Sequence, residues 1–125
     1  MNGKPIKSFR ELSVYQKACE LDLLIFRETK SWPKEERYSL IDQVRRSSRS
    51  IGANLAEAWA KRRYPAHFLS KLSDADGELQ ETMHWLERAS EYGYLSSEQC
   101  IEMIEICKLI GAMLGKMLQM PDSFS

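Results

Sequence analysis

Residues 40–63, LIDQVRRSSRSIGANLAEAWAKRR, contain the pattern that decides the fold. On a helical wheel with about 100° per residue, its small and apolar side chains fall within one arc of about 80°. These side chains are Leu40, Val44, Ser47, Ile51, Leu55 and Ala58. Such a stripe is typical of an amphipathic helix that buries one face against other helices.

The same spacing of three and four residues recurs on both sides of this stretch. The first stripe is Val14, Ala18, Leu21 and Ile25; the third is Phe68, Leu72, Ala75, Leu79, Met83 and Leu86; the fourth is Met103, Cys107, Ile110, Leu114 and Met117. The pattern predicts helices over about 12–31, 34–62, 65–91 and 97–119. Four amphipathic helices with short connections predict an all-α, antiparallel up-down-up-down four-helix bundle, with residues 1–125 as a single domain.

Local signals place the ends of these helices. Ser8 and Glu11 have the spacing of a capping box at the start of the first helix. Gly93 is expected to end the third helix in the left-handed conformation, and Ser96 or Ser97 to cap the fourth. Pro121 is expected to end the fourth helix.

Composition limits the class of protein. The 125 residues include 18 basic and 18 acidic side chains, so the formal net charge is zero. Neutrality argues against a nucleic-acid-binding protein that is basic throughout. No apolar run is long enough for a membrane span, and the first residues lack the apolar core of an export signal. Three cysteines without a Cys-x-x-Cys pair predict reduced thiols and a cytoplasmic protein.

The neutral total hides an uneven distribution of charge. Residues 43–63 contain six basic and one acidic side chain, a net charge of +5, and residues 64–105 have a net charge of −7. In one interpretation the two segments face each other, within the chain or between subunits. In the other, the basic segment contacts the phosphates of RNA or DNA. The candidate contacts are Arg45, Arg49, Lys61, Arg62 and Arg63.

A polar stripe lies beside the core face of the second helix. It consists of Gln43, Arg46, Ser50, Asn54 and Glu57. The stripe is either a hydrogen-bonded network at a helix or subunit interface, or a surface that contacts phosphates or a partner protein. Opposite the core, Ala53, Ala56 and Ala60 form a row of small residues. The row is either a surface against which a second subunit packs, or a consequence of the high helix propensity of alanine alone. Trp59 lies outside the core arc, next to the basic residues 61–63, and is a candidate partner contact.

Several stretches together resemble a known family. The run 43–57, QVRRSSRSIGANLAE, resembles the signature of a bacterial four-helix-bundle family named for members encoded in intervening sequences of large-subunit (23S) ribosomal RNA genes. Residues 9–18 resemble its first-helix opening and residues 32–40 its second-helix entry. Residues 75–77 together with Glu81 resemble its third-helix motif, and residues 93–95 its third turn. Two positions depart from the family pattern, since Ala58 replaces a usual Gly and Glu78 a usual Ser.

The resemblance implies a homo-oligomer, because relatives assemble as rings of five bundles. It implies no enzymatic activity. A related branch, the accessory proteins of diversity-generating retroelements, is basic and binds nucleic acid and a reverse transcriptase. RNA, DNA or a nucleic-acid-processing protein is therefore an expected partner for this chain, together with other copies of itself.

Catalytic and metal-binding patterns are scarce. Glu81 and His84 form a single Glu-x-x-His, whereas di-metal bundles use a pair of these motifs, and His67 stands alone. No Gly-rich phosphate loop or nucleophile elbow occurs. We therefore expect no enzyme, no cofactor and no metal. The working hypothesis is a nucleic-acid-associated oligomer, and the alternative is an oligomeric scaffold or protein-binding module without nucleic-acid binding.

Overall fold

The computed structural model describes residues 5–119 and contains four α-helices within that range, with no strand. They are α1 (Ser13–Thr29), α2 (Leu40–Ala60), α3 (Pro65–Glu91) and α4 (Ser97–Gln119). Short 3-10 turns, Phe9–Glu11 and Lys34–Glu36, precede α1 and α2. This arrangement confirms the all-α class. The predicted end of the last helix at Pro121 lies outside the described residues.

Each helix packs against its neighbours in sequence, and α4 returns to pack against α1, which closes the four-helix bundle. The α2–α3 contact is the most extensive. The predicted core face of α2 is buried along its whole length, with Val44, Ile51 and Leu55 fully inaccessible. In α3 the buried position beside Leu79 is taken by Thr82, while Met83 is only half-buried.

The second helix begins later than the sequence pattern predicts, at Leu40 rather than residue 34. The cause is Glu36, whose carboxylate accepts hydrogen bonds from the Ser39 hydroxyl (2.6 Å) and the Leu40 backbone N–H (3.4 Å). The same carboxylate accepts a hydrogen bond from the Tyr94 hydroxyl at 2.9 Å. A contact with a residue 58 positions away thus fixes the chain in a turn before α2 starts.

The expected capping box of the first helix is wrong. The Ser8 hydroxyl caps the short turn Phe9–Glu11 by accepting from the Arg10 N–H, and Glu11 accepts from the Lys7 N–H. Helix α1 itself starts after Leu12, whose side chain is buried in the core. The spacing of Ser8 and Glu11 does mark a helical turn, but this turn is a separate 3-10 element and not the start of α1.

The ends of α3 and α4 follow the local signals. Gly93 has a φ of +85°, which confirms the left-handed turn after α3. Ser96 is the cap of α4, because its hydroxyl accepts from the Gln99 N–H while the Gln99 side chain accepts from the Ser96 N–H, both at 3.0 Å. This is a reciprocal capping box.

Candidate functional site

Arg46 lies at the α2–α3 contact and pairs with two carboxylates of α3. Its guanidinium is 3.4 Å from Glu78 and 2.5 Å from Glu81. Glu81 also accepts a hydrogen bond from the Trp85 indole N–H at 3.0 Å. The Trp85 and Arg46 hydrogen bonds lower the pKa of Glu81, and the bond to Glu81 raises the pKa of Arg46. The charge of Arg46 is therefore neutralised within its own chain.

The remaining polar stripe is largely satisfied inside the bundle as well. Glu57 pairs with Lys71 of α3 at 3.4 Å. The Ser50 hydroxyl donates to the Arg46 carbonyl, and the Asn54 amide donates to the Ser50 carbonyl, so both bond to the backbone of α2 itself. Gln43 differs, because its side chain is exposed and makes no hydrogen bond within residues 5–119.

A buried hydrogen bond adjoins this network. The Thr82 hydroxyl donates to the Ser47 hydroxyl at 2.8 Å, and both residues are fully inaccessible to solvent. Periodicity placed Ser47 on the core face but gave no reason for a hydroxyl there. The contact between α2 and α3 therefore has two parts, the apolar core and the polar contacts beside it.

Arg45 points towards α1. Its guanidinium donates to the Thr29 hydroxyl at 2.8 Å and to the Phe26 carbonyl at 3.3 Å, and it lies 4.9 Å from the centre of the Phe26 ring. The predicted phosphate contact is thus a half-buried residue that uses two of its five N–H donors in hydrogen bonds to α1. Arg49 is exposed near Asp22, where partial burial raises the pKa of Asp22 and the charge of Arg49 opposes that rise.

The turn between α2 and α3 presents the rest of the basic segment, and we call residues 61–64 the basic tip. Lys61 and Arg63 are exposed, and neither side chain forms an ion pair or hydrogen bond with any residue in the described range 5–119. Arg62 covers Trp59, with its guanidinium 4.2 Å from the ring centre, and donates to the Trp59 carbonyl at 3.0 Å. Tyr64 is 63% exposed. The basic tip therefore combines unpaired cations with an accessible aromatic ring.

The outward face of α2 matches the alanine row expected from the sequence. Ala53 and Ala60 are exposed and Ala56 is half-buried. Trp59 is half-buried beneath Arg62. The row therefore lies on the surface of the single chain, where another helix could approach it.

A model of the 23S rRNA-intervening sequence protein family matches residues 10–116. The chain belongs to this family. A crystal structure of a protein of unknown function from the S23 ribosomal protein family of Bacteroides thetaiotaomicron is similar, with a TM-score of 0.77 and 30% identity over 85% of this chain and 95% of that one. No protein with a curated description matches. These findings confirm the resemblance and the four-helix bundle.

Two positions that were expected from the sequence to depart from the pattern of the 23S rRNA-intervening sequence protein family have definite places in the structure. Glu78 is one of the two carboxylates that pair with Arg46. Ala58 is buried in the core at 1% exposure. Glu78 therefore contributes an ion pair between α2 and α3, and Ala58 fills core volume.

An open groove of about 540 Å³ lies at the end of the bundle where the Lys34–Glu36 turn meets the turn after α3. We call it the aromatic groove; it is lined by Glu36, Tyr38, Ser39, Leu40, Gln43, Trp85, Tyr92 and Tyr94. Three of the stretches that carry the family resemblance, 32–40, 43–57 and 93–95, meet here. Sequence reasoning missed this groove, although tyrosines grouped at two helix breaks were a signal for it.

Other chemistry has little support in the described part of the chain. No group of three or more His, Cys, Asp or Glu side chains in residues 5–119 is arranged to hold a metal ion. His84 is exposed and its ring lies edge-on to Trp85 at 4.8 Å, while Glu81 is held by Arg46. Burial raises the pKa of the Cys107 thiol to about 12. None of the described helices has the length and apolarity needed to cross a membrane.

Proposed function

We propose that this protein is a non-enzymatic, cytoplasmic homo-oligomer that binds RNA or DNA through the basic tip. The pentamer implied by the family resemblance is the expected assembly. The observation that carries the proposal is the exposure of Lys61 and Arg63 without acidic partners among residues 5–119. Arg46, by contrast, is neutralised by the acidic third helix.

The chemistry of the basic tip supports a nucleic-acid ligand. Cations that contact phosphates release condensed counterions, which gives affinity without regard to base sequence. An exposed aromatic ring beside them offers a surface on which an unpaired base can stack. Lys61, Arg63 and Tyr64 provide these two features within one turn. Repeated around an oligomer, the tip would present several such sites on chains that are each neutral.

The test is fluorescence anisotropy with labelled single-stranded RNA and DNA of mixed sequence, measured over a series of salt concentrations. The wild-type protein is expected to bind at low salt and to lose affinity as salt rises. The double variant Lys61→Ala, Arg63→Ala is expected to reduce the slope of log K against log salt by about 1.4 per tip, because each phosphate contact on a single strand contributes about 0.7.

The matched control removes two exposed cations elsewhere. Lys34→Ala with Arg37→Ala changes net charge by the same amount, and neither side chain has an ion pair within residues 5–119. This control is expected to retain the wild-type slope. Equal losses in both double variants would mean that binding follows net charge and not the tip. Arg45 is left intact, because replacing it would disturb the contact with α1.

The alternative is an oligomeric scaffold without nucleic-acid binding. It is favoured by the pairs Arg46–Glu78, Arg46–Glu81 and Lys71–Glu57, which use opposite charges inside the chain. Absence of binding by the wild-type protein at low salt would select this alternative. Light scattering on the same samples reports assembly separately, since a pentamer has five times the mass of the chain.

A further inference from the structure

We propose that the aromatic groove binds the guanidinium group of an arginine presented by a partner polypeptide. This inference goes beyond the proposed function, because it concerns a different ligand and the opposite end of α2. At about 1.5 Å per residue, the 21 residues of α2 separate the groove from the basic tip by about 30 Å. The two sites can therefore be tested independently.

The walls of the groove are aromatic. Tyr38 is 87% exposed and Tyr92 is 56% exposed, so both rings are available to a ligand. The rings of Tyr92 and Tyr94 lie 5.8 Å apart at an angle of 62°, and Trp85 contributes an indole. Aromatic faces carry partial negative charge and attract cations within about 6 Å of the ring centre.

The electrostatics of the groove favour a cation over an anion. Glu36 lines it as a carboxylate, and its hydrogen bonds from Ser39 and Tyr94 lower its pKa, so it is ionised at neutral pH. The carboxyl end of α3 adjoins the groove and adds partial negative charge. The amino end of α2 has the opposite effect, but its Leu40 N–H is already bonded to Glu36. Lys34 and Arg37 are exposed and flank Glu36 in sequence, but no cationic side chain within residues 5–119 lines the groove itself.

The polar groups favour guanidinium over a compact ammonium. Guanidinium is planar, stacks on aromatic rings and carries five N–H donors. The Gln43 amide lies on the groove without a side-chain hydrogen bond within the described range, and its carbonyl oxygen can accept one of these donors. The chain already pairs arginine with aromatic rings in this way, with Arg62 over Trp59 and Arg45 over Phe26.

The groove is held in shape by contacts that do not depend on the ligand. The 2.9 Å bond from Tyr94 to Glu36 joins its two turns, and Trp85 is fixed by its bond to Glu81. A volume of about 540 Å³ lies within the range of ligand sites and exceeds the size of a guanidinium group. It leaves room for the arginine stem and the adjoining peptide, so the ligand we assign is an arginine in an exposed segment of another protein.

The experiment titrates the full-length protein with acetyl-Gly-Arg-Gly-amide and follows the Trp85 indole and Gln43 side-chain signals by two-dimensional NMR. The arginine peptide is expected to give saturable shifts, with an affinity of about 1 mM for so small a ligand. The peptide with citrulline, which has the same shape without charge, is expected to bind at least about tenfold more weakly. The lysine peptide is expected to fall between the two.

Substitutions locate the site. Tyr38→Ala and Tyr92→Ala are each expected to weaken arginine binding about fivefold. Both rings are largely exposed, so these variants are expected to fold normally, and far-UV circular dichroism checks this. The matched control is Tyr64→Ala, a tyrosine on the basic tip whose exposure of 63% lies between those of Tyr38 and Tyr92; it is expected to bind the peptide as wild type does.

Three outcomes would overturn the proposal. Equal binding of the citrulline peptide would show that charge is not recognised. Loss of binding in Tyr64→Ala but not in Tyr38→Ala would move the site to the other end of the bundle. Movement of the Trp85 signal on dilution of the protein alone, with peptide acting as a competitor, would make the occupant a second copy of this chain and not a separate partner.

Discussion

Replacing Arg46 with Gln separates the two roles open to the polar stripe of α2. If Arg46 is a structural residue between α2 and α3, the substitution lowers stability and leaves nucleic-acid binding unchanged. If it is a phosphate contact, the opposite holds. The geometry predicts the first result, because both of its nearest charges, Glu78 and Glu81, belong to α3.

The magnitude follows from the exposure of the three side chains, which is 47% for Arg46, 24% for Glu78 and 34% for Glu81. Ion pairs at this level of exposure contribute about 0.2–1 kcal/mol each. Loss of Arg46 also leaves two carboxylates three residues apart on α3, which repel by a few tenths of a kcal/mol. The expected loss in the free energy of unfolding is about 1–2 kcal/mol. In a chain of this size each kcal/mol lost lowers Tm by about 3–6 °C.

The assay is urea unfolding at one fixed protein concentration, since assembly would otherwise change the apparent stability. The loss is expected to shrink in about 1 M salt, where charges are screened beyond about 3 Å. Arg37→Gln, an exposed arginine without an ion pair in the described range, is the control and is expected to stay within about 0.5 kcal/mol of wild type. A loss for Arg46→Gln no larger than that of the control would refute the reasoning, as would a loss that is independent of salt.

Three further sets of predictions concern two glycines, two cysteines and Glu36. Gly93→Ala is expected to lower the free energy of unfolding by about 1–2 kcal/mol in thermal unfolding, because its φ of +85° is unfavourable for alanine. No atom crowds the new methyl group, so this cost comes from the backbone conformation alone. Gly77→Ala, within α3, is expected to raise the free energy of unfolding by about 0.5–1 kcal/mol. Alkylation followed by mass spectrometry is expected to modify the exposed Cys19 readily and Cys107, with its pKa of about 12, only after unfolding. Hydrogen bonds from the Ser39 and Tyr94 hydroxyls lower the pKa of Glu36 from 4.5. The contribution of ionised Glu36 to the free energy of unfolding is therefore present above pH 4.5 and is lost as the pH falls through the lowered pKa. Glu36→Gln is expected to reduce this dependence of stability on acid pH.

The helices were predictable because their signal is local. Positions three and four residues apart share a face, so every residue on the predicted core arc of α2 is buried. Ile41 and Ser48, which lie beside that arc, are buried as well and were not predicted. The start of α2 was not predictable in the same way. The bonds from Ser39 and Leu40 to Glu36 are local, but the Tyr94 hydroxyl also donates to Glu36 from 58 positions away, and no window around residue 34 contains that contact.

The sequence predicted which kinds of residue the site contains, but not which of them contact one another. The sequence identified the basic segment and the acidic segment, but it could not say which cation meets which carboxylate. Arg45 and Arg46 are adjacent in sequence, yet a rotation of about 100° sends one to α1 and the other to α3. The aromatic groove was missed for the same reason, since its tyrosines lie on two turns that come together only in the folded bundle.

The zero net charge of the chain is thus a sum of charges that lie in different local environments. Arg46 is neutralised across the α2–α3 contact, Arg45 is packed against α1, and Lys61 and Arg63 remain available at one end of α2. At the other end, a carboxylate and aromatic rings attract positive charge. Because the two ends lie about 30 Å apart along α2, we expect the anionic ligand proposed for the tip and the cationic ligand proposed for the groove not to compete. Binding of either is expected to leave the affinity for the other unchanged.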